Sequence, residues 1–181
     1  MKLRTFLFLV PVLLMCGCAN YRWTSRVPDE LRTVAVPVFQ NATNLAELGP
    51  ITTQYTLREF QREGTFAIRR SGHSSIEVQG EIKKADFSPI AYARGYGMRA
   101  GEYRCLATVE VNYINNDEPE PAKKLFLKRT YTAETTISVQ NDLLTAKRNS
   151  VARLAAEFAR QIVDDVVSFP YNRKTSTPPA P

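Results

Sequence analysis

Histidine occurs once in these 181 residues, at His73, and cysteine three times, two of them within the first eighteen positions. That scarcity excludes most site chemistry. A zinc centre draws three or four ligands from His, Cys and carboxylates, yet beyond residue 18 the chain holds one imidazole and one thiol, Cys105. His73 itself sits in Ser71-Gly72-His73-Ser74-Ser75, the composition of an exposed turn. Paired carboxylates are also missing: Asp164 and Asp165 are neighbours in a helical pattern, so their side chains diverge by about 100°. Gly95-x-Gly97-x-x-x-Gly101 lacks the strand-to-helix setting of a nucleotide loop and reads as a hairpin connection. No nucleophile, base and orienting group come together, so we expect no enzyme, no cofactor and no metal. No apolar run approaches the roughly 20 residues that a spanning helix needs.

What is present begins at the amino terminus. Lys2 and Arg4 form a positive start, Phe6 to Met15 an apolar stretch of roughly ten residues, and Gly17-Cys18 a small residue before a cysteine. This is an export signal covering residues 1–17. Leu14-Met15-Cys16-Gly17-Cys18 resembles a bacterial lipobox, with Cys18 as the lipidated residue because small Gly17 precedes it, whereas bulky Met15 precedes Cys16. Two or three acyl chains anchor a protein stably where one does not. Ala19 after the cysteine, rather than an aspartate, points to outer-membrane delivery. Cleavage removes two of the 24 basic residues, leaving 22 against 18 acidic ones, a net charge of +4. For an exported protein the anionic partners within reach are phospholipid and lipopolysaccharide, not nucleic acid. One remaining thiol cannot close an internal disulfide in an oxidising compartment, so Cys105 is expected to be buried.

Residues 18–32 read as a lipidated, partly docked tether. Thr33 to Phe39, TVAVPVF, is apolar on both faces and predicts a buried strand, followed by a polar loop from Gln40 to Asn44. Gly49-Pro50 opens a helix over Ile51 to Glu63, closed by Gly64. Phe66 to Ile68 predicts a short strand. Ser75 to Phe87 alternates cleanly up to Ile82 and then slips phase, which predicts a bulge near Lys84. Tyr103 to Tyr113 alternates with Leu106 as the only apolar exception, and a turn over Asn115 to Pro121 leads to a strand from Lys123 to Thr135 with Leu125, Leu127 and Tyr131 on one face. The final element is an amphipathic helix from Asp142 to Val167, capped by Asn141 or Asp142. Residues 170–181, ending TSTPPAP, have too little apolar surface to fold. The order predicts one α+β domain over residues 33–169, with two helices packed on one face of a mostly antiparallel or mixed sheet of four or five strands.

Together these residues resemble the LptE family of lipopolysaccharide-assembly lipoproteins. The likeness rests on the lipobox, TVAVPVFQNAT, ITTQYTLREFQRE, SIEVQGEIKKADFSPI, YRCLATVEVNY and VARLAAEFARQIVDDVV, and spans Leu31 to Val167. Cys18-Ala19-Asn20-Tyr21 departs from the Cys-Gly-Tyr start common there. The resemblance implies a lipoprotein that inserts into the lumen of an LptD-like outer-membrane β-barrel translocon, assists its assembly, plugs it and contacts lipopolysaccharide in transit. A plug must offer polar, satisfied surface to a polar barrel interior, which alternating strands permit.

Lys83, Lys84, Arg94, Arg99 and Arg104 fall around one hairpin, and Lys123, Lys124, Lys128 and Arg129 on the next strand and its approach. If the hairpins are neighbours, these cations could converge on one end of the sheet and engage lipid A phosphates. Carboxylates at Glu81, Asp86 and Glu102 dilute the cluster, and a solvated face is the plainer account. A "Val-Ala-Val-x-x-Phe-x-Asn" strand also opens some curli-secretion-like and synthase-activator lipoproteins, so an accessory role in another envelope machine is the alternative function. A periplasmic hydrolase is disfavoured by the missing catalytic set.

Overall fold

The structure, a computed structural model, describes residues 27–92, 100–139 and 142–171. In chain order it contains β1 (Thr33–Ala35), β2 (Gln40–Asn41), α1 (Leu48–Glu63), β3 (Ala67–Ile68), β4 (Ile76–Tyr92), β5 (Ala100–Asn115), β6 (Leu125–Ser138) and α2 (Leu143–Ser168). All the strands form one sheet in the order β3-β1-β4-β5-β6, with β2 also paired to β4. β1, β2 and β3 pair in parallel, whereas β4, β5 and β6 form an antiparallel meander. The expected α+β class holds. The six-stranded sheet exceeds the expected four or five because Gln40–Asn41, expected as loop, pairs with β4 as an extra strand.

Alternation along β5 sorts the layers. Cys105, Ala107, Val109, Val111 and Tyr113 are buried under the helices, joined by Val78 and Ile82 of β4 and Tyr131 and Ala133 of β6. From above, α1 adds Leu48 and Phe60, and α2 adds Leu154, Phe158, Ile162 and Val166. Burying side chains of this size contributes about 1.5–3 kcal/mol each. The anticipated bulge falls between Ile82 and Lys84. Asp142 caps α2 by accepting from the N–H groups of Leu144 and Thr145 at 3.1 and 2.8 Å, and Gly64 closes α1 in the left-handed conformation at φ 82°.

Of the expected strand over Thr33 to Phe39 only Thr33–Ala35 forms, and the loop expected from Gln40 instead opens with the short strand β2. Proline at 37 has no N–H to give to a ladder, and Phe39 turns into the core, where it is 2% exposed. Three features hold Phe39 there. Its N–H donates to Thr53 Oγ1 at 2.9 Å. Gly80 leaves room for the ring, since a Cβ at that position would lie 2.6 Å from Phe39 Cδ2. Gly49 passes so close that its Cβ would meet the Phe39 carbonyl oxygen at 2.6 Å. Asn41 then folds the next turn, donating to Leu45 O at 2.7 Å and accepting from Thr43 N at 2.9 Å.

Packing extends beyond both expected domain limits. Val27 is 2% exposed in the core, so the tether is docked from that point, and Asp29–Leu31 forms one 3-10 turn. Tyr171, placed in the tail by composition, donates to Val166 O at 2.9 Å, and its ring meets Phe126 and Phe169. The signal segment, Asn141 and residues 172–181 lie outside the described residues.

Candidate functional site

The helices cover one face of the sheet and, among the described residues, no element covers the other. On that open face β4 places Glu77, Gln79, Glu81, Lys84 and Asp86, β5 places Arg104, Thr108, Glu110 and Asn112, and β6 places Lys128, Thr130, Thr132 and Glu134. The sequence expects apolar residues inside and polar ones outside, and the ladder realises that pattern across three strands.

The cations do not gather at one end. Lys84 stands opposite Thr108, Lys128 opposite Asn112, and Arg104 opposite Ser88 and Thr136. Measured along β5 these positions are four residues apart, about 13 Å per step. Each is matched by a carboxylate: Lys83 with Glu81 at 2.5 Å, Lys84 with Asp86 at 2.6 Å, Arg104 with Glu134 at 2.9 Å and Lys128 with Glu110 at 3.0 Å. Arg129 belongs to the helix-covered side, 3.6 Å from Asp165 of α2. Lys124 ends a helical turn over Pro121–Lys124 that the sequence reading missed. Cys18, Arg94, Arg99 and the side chain of Lys123 lie outside the described residues, as do Tyr96, Gly95 and Gly97.

One end of the open face is hollowed. Pro37, Val38 and Gln40 form one wall of a groove of about 400 Å³, and Glu77, Gln79, Glu81, Glu110 and Asn112 form much of the rest. Glu77, only 7% exposed, accepts from Ser71 Oγ at 2.7 Å and Gln79 Nε2 at 2.8 Å. Burial by itself would raise its pKa, but hydrogen bonds from Gln79, Ser71, Asn116 and the Gly72 backbone outweigh burial and hold the carboxyl below its ordinary range. Because the folded-state pKa is depressed, this stabilisation is present above the unfolded value near 4.5 and fades as pH falls through the folded value. We expect Glu77→Gln to lose less stability than the parent chain between pH 5 and pH 3, read as the denaturation midpoint at each pH. Equal losses would contradict this assignment. The buried Asn112 Oδ1 has no hydrogen-bond partner among the described residues.

Cys105 is fully buried, accepts from Ser150 Oγ at 3.6 Å, and has its thiol pKa pushed up by burial, so it packs as a small apolar group. His73 is exposed in the 71–75 turn, where its N–H donates to Arg70 O at 3.0 Å.

A polar open face, a helix-covered core and the Phe39 knot all lie within one stretch of chain that a single family model, lipopolysaccharide-assembly LptE, matches over residues 31–168. The chain belongs to the LptE family. Solved structures of low identity are similar to the chain, and the first two below share its fold. A Xanthomonas campestris protein is 9% identical with a TM-score of 0.57, covering 76% of this chain and 83% of its own. A hypothetical protein of Chlamydia trachomatis is 13% identical with a TM-score of 0.50, covering 77% and 97%. Rare lipoprotein B of Shewanella oneidensis is 11% identical with a TM-score of 0.45, covering 75% and 94%. No curated protein sequence matches the chain. Seen against the LptE match, the motif Val-Ala-Val-Pro-Val-Phe-x-Asn is structural: Phe39 and Asn41 spend their side chains on the core and the turn into α1.

Proposed function

We propose that this LptE-family chain is a non-enzymatic lipoprotein, anchored in the outer membrane through Cys18, that serves lipopolysaccharide export as the plug and assembly partner of an LptD-like β-barrel. The observation that carries the reading is the family match over residues 31–168, which spans nearly all of the described domain. Physical support comes from the open face. A barrel interior is polar, and the surface that would meet it is a ladder of paired charges and threonines, with its own core kept dry behind it.

Lipopolysaccharide contact is the finer part of the proposal. Lys83, Lys84, Arg104 and Lys128 are each already paired with a carboxylate, so a lipid A phosphate binds only by displacing Glu81, Asp86, Glu134 or Glu110. Exposed pairs of this kind are worth only about 0–1 kcal/mol, so that exchange is open to a doubly charged phosphate. Arg94, Arg99, Lys123, Lys124 and Arg129 complete the candidate set.

The test is affinity capture of the full-length lipoprotein from detergent-solubilised outer membranes. We expect a β-barrel protein in near-equal amount, and charge reversal at Arg99 and Lys128 should weaken lipopolysaccharide retention. Recovery of the lipoprotein without any barrel protein would overturn the partnership, and unchanged retention would overturn the binding set.

A further inference from the structure

The groove beside Phe39 holds a charge that the described residues leave unneutralised. Three carboxylates line it, Glu77, Glu81 and Glu110. Glu81 has Lys83 at 2.5 Å and Glu110 has Lys128 at 3.0 Å. Glu77 has no cation: its donors are the Ser71 hydroxyl, the Gln79 amide and other neutral groups, which keep the carboxylate ionised without cancelling its charge. Asn112 adds a second unmet demand in the same lining, because its buried Oδ1 has no hydrogen-bond partner among the described residues. It stands opposite Gln79 in the ladder, and so lies diagonal to Glu77 and Glu81, about 7–8 Å from each. A carboxylate without a cation and an acceptor without a donor ask for one group, a cation that carries N–H bonds. Among the described residues no three His, Cys, Asp or Glu side chains are placed to hold a metal ion.

The opposite wall is apolar and fixed. Val38 is 68% exposed, more than any other large apolar side chain among the described residues. The backbone around it is held, since the Pro37 ring sets φ on one side and buried Phe39, its N–H bonded to Thr53 Oγ1 at 2.9 Å, anchors the other. Lysine and arginine match both walls: an apolar stem that lies along hydrophobic surface and a charged head made only of donors. We propose that the groove receives one lysine or arginine side chain from an extended segment of the barrel partner, its stem along Pro37 and Val38 and its head between Glu77 and Asn112 Oδ1. The inference rests on the plug reading above, and one groove takes one segment, as one plug in one lumen requires.

Tetra-arginine amide titrated into the full-length lipoprotein in maltoside micelles, with no barrel present, tests the groove by itself. We expect saturable shifts of the Asn112 side-chain amide in nuclear magnetic resonance spectra. Glu77→Gln should weaken binding about fivefold or more, the worth of a hydrogen-bonded charge. Glu102→Gln, about 33 Å away along β5, should leave binding unchanged. Val38→Lys alters only an exposed side chain, so it should keep the fold, place its own ammonium over the groove and abolish binding. No shift in the parent chain, equal weakening by Glu102→Gln, or full binding to Val38→Lys would overturn the proposal. Capture from outer membranes then tests the occupant, and Val38→Lys should sharply lower barrel recovery. Full recovery with Val38→Lys would overturn only the occupant named here, whereas no barrel with the parent chain would overturn the plug reading itself.

Discussion

Phe39→Ala should cost about 3–5 kcal/mol of folding stability, the range for deleting a buried aromatic ring. The site cannot easily collapse into the space, because Gly49 and Gly80, the residues against the ring and its carbonyl, have no side chains to move. The converse substitution, Gly80→Ala, puts a methyl 2.6 Å from the ring and should cost about 1–3 kcal/mol through overpacking. The two should couple. In the Phe39→Ala background the added methyl meets empty space, so Gly80→Ala becomes neutral or stabilising, and a double-mutant cycle in urea should show an interaction above about 1 kcal/mol. Additive losses would mean that Phe39 and Gly80 do not share one packing constraint.

Tyr131→Phe is the second large effect. Tyr131 donates to Asp165 Oδ2 at 2.6 Å and accepts from Tyr113, whose hydroxyl lies 2.5 Å away and also reaches Ile162 O at 3.3 Å. This chain of hydroxyls ties β5 and β6 to α2, with Arg129 Nε 3.6 Å from the same Oδ2 of Asp165. Removing the middle hydroxyl leaves Tyr113 only its longer bond to Ile162 O and takes from Asp165 the Tyr131 donor, at a cost of about 1–3 kcal/mol. Burial, reinforced by the bond to Asp165, pushes the Tyr131 hydroxyl well above its ordinary value, and burial pushes Tyr113 further still. A raised folded-state pKa gives stability that is whole below the unfolded value of about 10 and is lost as pH rises past it. Tyr131→Phe should therefore be less stable at pH 7 and should lose less on going to pH 11, as measured by thermal midpoints. A parallel shift at both pH values would contradict the proton assignment.

Much of this fold is written in periodicity. β4, β5 and α2 come straight from alternation and helical spacing, because each is long enough for its pattern to outvote local exceptions such as Leu106. Short parallel strands are harder to read. β3 is foreseen at Phe66 to Ile68, but β2 holds two residues inside the expected polar loop and carries no period, and the break at Val36–Phe39 depends on a glycine 41 positions downstream that makes room for Phe39. The face of a basic residue was equally hidden. Lys128 and Arg129 look alike in the chain, yet strand alternation puts one on the open face and the other against Asp165. Which cations already hold carboxylates is a matter of register, and the β4–β5 register shifts at a bulge whose place the sequence shows but whose partner it does not, while nothing in the chain prints the β5–β6 register at all.

If the chain serves lipopolysaccharide export, the cell needs it to place lipopolysaccharide on its surface. Depleting the full-length protein and measuring surface-exposed lipopolysaccharide is the direct measurement. We expect surface glycolipid to fall as the protein disappears and to return with the parent gene but not with Cys18→Ser at matched expression. Normal surface display after complete depletion would contradict it.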